Sequence, residues 1–442
     1  MKRLLQWVPA VALLCASVPS AFAQYESGTS SGGVDVSAFE VDLLSGNKVV
    51  DQGLVIVLAE NAPKHYQAPK IPRFAIIGKD KQFYLGIGGY VRGTVSFDFG
   101  NPIDNPTYFT TADISKVSAG NGAKTQVSMG TTNIFFSFIS LPGSKNQVGA
   151  YIDFNFDKDQ YGLDLRHAYL TWRDFRAGYD YTLFSDQRCI PSTIDFEGAP
   201  SLATVKTSMF AWMYAGKRWN FGAAIESPIY SVTESSTAQL VNQRIPSIPL
   251  YVAYKWSAKN YTRVSAIARS IQYRNMTEGK NKARFGYGVQ VSGIWALHDR
   301  VDFYYQALYG DGIADYVQDL NDMNLDIVPD RDNAGKLKGT QQFGFMGGLK
   351  LSYTKRLSSN HLFSQVRSYV DAYDNATAVG SSSEARLPWG DQYKYGQYLC
   401  NNLFYTFGQL QLGVEYLWGA RKNMDGTFAH DNRLQFMAQI NF

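Results

Sequence analysis

The chain has 442 residues, 45% hydrophobic and 14% aromatic, with 42 Lys and Arg against 38 Asp and Glu for a formal net charge of +4. That small excess contains no polybasic run, which argues against nucleic acid as a partner. Three cysteines, with no Cys-x-x-Cys or His-x-x-x-His spacing, rule out a disulfide-dense scaffold and supply neither a metal site nor a cofactor motif.

The N-terminus, MKRLLQWVPAVALLCASVPSAFAQ, has Lys2 and Arg3, then an apolar stretch, then Ala21-Phe22-Ala23 before Gln24. Those three parts predict a cleavable secretory signal over residues 1–23. A membrane anchor fits less well, because Pro9 and Pro19 break an apolar core that is already too short to span. A lipid anchor is disfavoured too, since Leu14 stands before Cys15 where a lipoprotein cleavage site wants a small residue. Residues 24–82 begin YESGTSSGG and show neither heptads nor a strand period, so they are expected to form a periplasmic N-terminal extension of unassigned use. Beyond Gln24 no apolar run reaches 18 residues, and no membrane helix is expected.

From QFYLGIGGYVRGTVSFDFG, residues 82–100, the pattern changes to alternation. Phe83, Leu85, Ile87, Val91, Val95, Phe97 and Phe99 are apolar, and Tyr84, Tyr90, Arg92, Thr94, Ser96 and Asp98 stand between them. A period of two held this long predicts a strand with one oily and one wet face, longer than globular strands usually run. The alternation returns in VGAYIDFNFD, FGYGVQVSGIWAL, QFGFMGGLKLSY, QLQLGVEYLWG and RLQFMAQINF. Sixteen strands follow, near 83–99, 124–140, 147–158, 163–173, 175–186, 207–215, 219–232, 247–256, 261–273, 284–297, 301–309, 341–355, 361–374, 394–406, 409–423 and 431–442. Short turns such as 142–146, 257–260 and 298–300 alternate with segments that are mostly much longer, including 100–123, 187–206, 233–246, 310–340 and 375–393.

An even strand count with short turns at one rim and long loops at the other predicts an all-β, 16-stranded antiparallel transmembrane β-barrel over 83–442. Closure lets strands cross lipid without bare edges, whereas a soluble sandwich would have shorter strands. Aromatics crowd the strand ends. Trp256 and Tyr261 flank one turn and are expected at the lipid headgroups.

LRHAYLTWRDFRAGYDYT (165–182), TIDFEGAP (193–200) and GARKNMDGTFAHDNRLQF (419–436) resemble the DcaP-like family of trimeric Gram-negative outer-membrane porins. The likeness covers roughly 83–442, and its most specific pieces are the TIDFEG loop and the Gly-x-Arg…Asp-Gly…Asn-Arg ending. Leu434, Phe436, Ala438 and Ile440 keep step before the closing Phe442, an ending similar to the strand by which such barrels are recognised for insertion. The resemblance implies a homotrimer in outer-membrane lipid and passive diffusion of small hydrophilic solutes, with some members favouring anionic dicarboxylates. Gly89 and Gly93, on the outer face of the first strand, leave a flat patch suited to subunit packing. Family members can carry an N-terminal coiled coil, a feature that 24–82 lacks.

CIPSTIDFEGAPS, residues 189–201, falls between strands five and six as the third long loop. In trimeric porins the corresponding loop folds into the barrel and narrows it. Ile194 and Phe196 are then expected against the inner wall and Asp195 and Glu197 toward water, as a charge filter, with Pro191 and Pro200 stiffening the ends. The alternative is an outer loop whose acids are merely solvated. Opposing charge is expected from Arg92 and Arg367, with Arg269, Lys350, Arg421 and Arg433 behind them, while Asp98, Asp153, Asp157, Asp371 and Glu415 share the wet face. A guanidinium offers carboxylate ligands a planar fork of donors, though each Arg could equally pair with a neighbouring acid. A Cys189–Cys400 disulfide is allowed by an oxidising periplasm, and spacing alone leaves it open.

The expected function is a porin. A barrel hydrolase is the first rival, but His167, in step with Tyr169 and Thr171, has no Ser-x-Gly elbow or partner acid in the sequence and is expected only to line the lumen. A closed structural barrel is the second. A plugged active transporter needs about 22 strands and is too large for this chain.

Overall fold

The computed structural model describes residues 42–43, 61–63, 72, 74–77, 82–114, 122–142, 144–158 and 161–442. The signal expected over 1–23 and most of the extension expected over 24–82 lie outside these residues.

Alternation in the sequence becomes one continuous antiparallel wall. Its strands, numbered in chain order, are β1 Phe83–Phe99, β2 Ala123–Ser128 continued by Asn133–Ser140, β3 Val148–Lys158, β4 Gly162–Trp172, β5 Phe175–Tyr181, β6 Lys206–Ala215, β7 Trp219–Glu226 and β8 Ile248–Lys255. The wall goes on through β9 Tyr261–Asn275, β10 Lys280–His298, β11 Val301–Asp311, β12 Gln341–Ser352, β13 Leu357–Tyr369, β14 Tyr393–Phe407, β15 Leu410–Asn423 and β16 Phe428–Asn441. Both pieces of β2 pair with β1 and so count as one strand. Each strand pairs with the next, and β16 returns to β1 from Arg433↔Asp98 to Asn441↔Tyr90, closing a 16-stranded barrel. Closure gives the ladder groups partners around the full circle, the condition for a sheet in hydrocarbon.

The two faces of the wall differ as the period of two demands. Along β1, Tyr84, Tyr90, Arg92, Thr94, Ser96 and Asp98 are buried, whereas Phe83, Val91 and Phe99 are exposed on the outside. Outward aromatics stack near the turn after β8, where Trp219, Tyr254, Trp256 and Trp295 follow one another at centroid spacings of 4.7, 4.6 and 6.2 Å. Such a cluster suits the headgroup region. Tyr261 does not join it. In phase with buried Ser265 and Arg269 on β9, Tyr261 points inward and its hydroxyl donates to Asp186 Oδ2 at 2.9 Å.

Strands five and seven were expected to run to 186 and 232 but end at Tyr181 and Glu226. The Glu226 carboxylate accepts from Thr182 Oγ1 and from Leu183 N, both at 2.7 Å, so a side chain takes over from the ladder and the chain turns off the wall. A second irregularity lies in β4. The register slips opposite Asp153 and Phe154 of β3, so that Arg166 and His167, neighbours in sequence, are both buried on the inside.

Short turns gather at one rim, and the long segments 100–122, 182–205, 227–247, 312–340 and 370–392 leave from the other. Several of these fold inward. Ile313, Tyr316, Val317 and Leu320, from the loop after β11, pack with Phe184 of the third loop and Val366 of β13 in one apolar cluster inside the barrel.

The wall also starts earlier than residue 83. Phe442 exchanges backbone hydrogen bonds with Gly89 at 2.8 and 2.9 Å, which leaves the edge of β1 below it uncovered by β16. Phe74–Ile77 covers that edge, pairing antiparallel from Phe74↔Ile87 to Ile77↔Tyr84, in line with β16 and running in the same direction. Asp42–Leu43 pairs parallel with Phe74 and Ala75.

Candidate functional site

The third loop, 182–205, is held inside the barrel by a carboxylate on the wall. Glu415 of β15 accepts the backbone N–H groups of Ile194 and Asp195, and the side-chain amides of Asn402 and Gln435, all at 2.8 Å. Ile194 packs beside Phe404 and Met437. Asp195, expected to face water, is instead fully enclosed and works as the loop's own anchor. Its Oδ1 accepts from Phe109 N at 2.9 Å and Glu197 N at 3.1 Å, and its Oδ2 from Gly198 N at 3.2 Å and Tyr398 Oη at 2.8 Å. Gly198 has φ 84°, a value that suits glycine and lets the chain curl back over the carboxyl. Burial, and then the nearby charge of Glu415, push the Asp195 carboxyl up to about 8.

Past Asp195 the loop meets open space. Phe196 and Glu197 line a cavity of about 620 Å³, together with Tyr108 of the first loop, Gln318 and Asp319 of the loop after β11, and Arg166 and Lys206 of the wall. The Arg166 guanidinium lies 4.6 Å from the centre of the Phe196 ring, and Arg92 lies 5.7 Å from it. Arg166 donates to the Tyr181 hydroxyl at 3.4 Å, and Arg92 Nε to Gln439 Oε1 at 2.7 Å, while Arg92 Nη1 has no hydrogen-bond partner among the described residues. Lys206 lies over the Tyr181 ring at 5.5 Å. Among the described residues none of these three cations is in an ion pair.

Five acids also line the cavity, Asp113, Asp164, Glu197, Asp319 and Asp322. Glu197 accepts from the Gln318 amide, and burial pushes its carboxyl up to about 7. Asp319 accepts from Thr111 N at 2.8 Å and from the Thr111 hydroxyl, and burial raises it to about 7 as well. Asp164 pairs with Lys158 at 3.2 Å. Among the described residues Asp319 Oδ1 has no hydrogen-bond partner, so Arg166 and Lys206 share the cavity with acids that are only partly satisfied.

The other expected constriction residues lie elsewhere. Arg433 is fully buried, gripping Asp98 through Nε at 2.6 Å and Nη2 at 2.8 Å while Nη2 also donates to Asn105 O at 2.9 Å. It clamps the first loop. Arg421 does similar work, donating to Ala112 O and to Asn423 Oδ1. Arg269 pairs with Asp326 at 3.0 Å and donates to Gly312 O at 3.0 Å, which pins the loop after β11. Lys350 is half-buried on the inner face of β12, opposite Asp302 near the short-turn rim. Arg367 faces outward: on β13 the inward positions are Leu362, Ser364, Val366 and Ser368, and Arg367 keeps step with exposed Phe363 and Tyr369, its guanidinium 4.7 Å from the Tyr369 ring. Infolded loops cover the inner face of this strand, so small and apolar side chains sit on the side expected to be wet.

Two further expectations need correction. Cys189 and Cys400 are free buried thiols, with Cys189 donating to Asp186 O at 3.1 Å, so no disulfide pins the loop. His167 is not alone: its Nδ1 lies 2.8 Å from Asp153 Oδ1 and its Nε2 3.6 Å from Asp180 Oδ1. Neither acid could be matched to it from spacing, because β3, β4 and β5 bring them together across the sheet.

Arg166 and Lys206 escaped the sequence reading. Strict alternation assigns Arg166 to the oily face, and only the bulge reverses it. The one available signal was its position beside His167 in a strand that already had wet residues in step. Lys206 sits where the third loop rejoins the wall, a place alternation does not address.

No family model matches the chain, and no curated protein matches it in sequence. Among solved structures it is similar to the outer membrane channel DcaP of Acinetobacter baumannii, at 20% identity and a TM-score of 0.68 over 83% of this chain and 99% of that one. It is also similar to the loop L8 deletion mutant of OmpT, an outer membrane protein of Vibrio cholerae, at 10% identity and a TM-score of 0.51 over 82% and 100% of the two chains. A third likeness is to the anion-selective porin from Comamonas acidovorans, at 9% identity and a TM-score of 0.51 over 81% and 100%. These likenesses show the fold, a closed barrel of the outer-membrane channel kind.

Proposed function

We propose that this chain is a porin of the Gram-negative outer membrane, active as a homotrimer, that lets small hydrophilic solutes diffuse passively and favours those with carboxylate groups. One observation carries the reading: a cavity of about 620 Å³ inside the barrel lies between Phe196 and Glu197 of an infolded loop and Arg166 and Lys206 of the wall, neither of them in an ion pair among the described residues. A solute entering it exchanges part of its hydration for these contacts, and it leaves again because no group encloses it. A planar carboxylate matches the Arg166 fork, which has donors to spare. The acids opposite are held by Gln318 and Thr111 and repel an anion less than free carboxylates would.

A barrel hydrolase is supported less well. His167 Nδ1 is bonded to Asp153, and its Nε2, 3.6 Å from Asp180, has no hydroxyl or thiol bonded to it among the described residues that it could deprotonate. A closed structural barrel would leave the unpaired cations without purpose.

The experiment is single-channel recording in a planar bilayer under a salt gradient. Wild type should conduct with a reversal potential on the anion-selective side, and Arg166→Gln should move that potential toward zero. A silent wild type would refute the porin, and an unmoved potential in Arg166→Gln would refute the role given to the arginine.

A further inference from the structure

Residues before the barrel, which had no expected use, reach into it. Asn61 is buried against the inner wall near the short-turn rim, where its Nδ2 donates to Ser137 Oγ at 3.1 Å and to Ala150 O at 2.9 Å. Thr171 Oγ1 donates to Asn61 Oδ1 at 3.0 Å, and Tyr169 Oη donates to the Asn61 backbone carbonyl at 2.7 Å. Ala62, 1% exposed, packs with Phe135, Tyr151 and Tyr169. Four bonds to three strands are far more than a chain resting on a rim would make.

The wall is shaped to receive this segment at two glycines. A Cβ at Gly149 would lie 2.6 Å from Asn61 Oδ1, and one at Gly88 would lie 3.0 Å from Pro72 Cα. Both glycines are on the inner face, so Pro72 is inside the barrel too. The chain then leaves along β1 as Phe74–Ile77, hydrogen-bonded into the seam beyond Phe442. Three separate places, at Asn61, at Pro72 and at Phe74–Ile77, tie the N-terminal segment to one mouth of the barrel.

We propose that residues 61–63, Pro72 and Phe74–Ile77 act as a built-in strap that narrows the pore at the short-turn mouth, with Asn61 as its anchor. The inference rests on the porin reading. A solute must pass the cavity beside Phe196 and Arg166 and then the mouth that Asn61 and Pro72 narrow, so the strap limits both the flow and the size of what passes. Its bonds are neutral and near the rim, and such bonds contribute about 1 kcal/mol each, so loss of Asn61 side-chain contacts should release it without harming the barrel.

The test uses the full chain in a planar bilayer. Asn61→Ala removes the anchor, and Gly149→Val fills the space where it sits. Each should raise single-channel conductance by about 1.5-fold or more and admit larger neutral polymers. Unchanged conductance in both Asn61→Ala and Gly149→Val would overturn the strap and leave the porin standing. Silence in wild type and in every variant would overturn the porin, and the strap with it.

Discussion

Arg433 and Arg166 are both buried arginines on the inner wall of one barrel, and they live in opposite surroundings. Arg433, on β16, is closed in by Asp98 and the carbonyl of Asn105. Arg269 on β9 and Arg421 on β15 are bound in the same manner to infolded loops. Arg166, on β4, stacks on Phe196 beside a cavity, with one long hydrogen bond to a tyrosine. In the first region charge holds loops in place, and in the second it is left available to whatever passes. A barrel interior therefore cannot be read as uniformly wet. The loops divide it, and the side where they pack turns its arginines into structural fastenings.

The sharpest way to break this comparison is to remove the charges one at a time. Arg433→Met strands Asp98 without a cation and should destabilise the folded barrel by about 3–5 kcal/mol, read as a lowered unfolding transition in detergent. Arg166→Met, by the same measurement, should stay within about 1 kcal/mol of wild type. Equal losses would erase the distinction.

A smaller effect should come from pH. The Glu197 carboxyl, raised by burial to about 7, takes up a proton as pH falls through that value and becomes neutral, while Arg166 keeps its charge. The passage thus loses negative charge on acidification. The ratio of chloride to potassium permeability should rise about 2- to 3-fold between pH 8 and pH 6, and Glu197→Gln should reduce that rise, with Asp319, raised to about 7 in the same cavity, carrying the remainder. A ratio that falls on acidification, or one that rises as much in the variant as in wild type, would mean another group governs selectivity.

The smallest effect expected is none. Arg367 faces outward beside Tyr369, so Arg367→Gln should leave the reversal potential where it was. Its outward surroundings also include Gln365 and Gln397, bonded to each other at 2.9 Å, and His361 and Asn401, bonded at 2.8 Å. A shift in selectivity would put Arg367 back inside.

Most of the wall was legible because its cause is local. Side chains on an extended strand alternate by geometry, and two solvents on two faces write that alternation into the sequence, as along β1 from Phe83 to Phe99. The interior was legible only in part. Ile194 faces the wall and Glu197 lines the cavity, but Asp195 lies enclosed between Phe109 and Tyr398, groups 86 and 203 residues away in the chain. The Cys189–Cys400 pairing and the wet position of Arg367 failed for the same reason, since both depend on how loops settle after the barrel has closed.

From sequence alone came the number and order of the strands, the two rims and the third loop's place between β5 and β6. These follow from a period repeated residue by residue along the chain. Only the tertiary structure decided which charges stand free: a bulge opposite Asp153 turned Arg166 inward, and infolded loops claimed Arg433, Arg269 and Asp195. Those outcomes are set by contacts between segments far apart in the chain, and no repeat in the sequence records them.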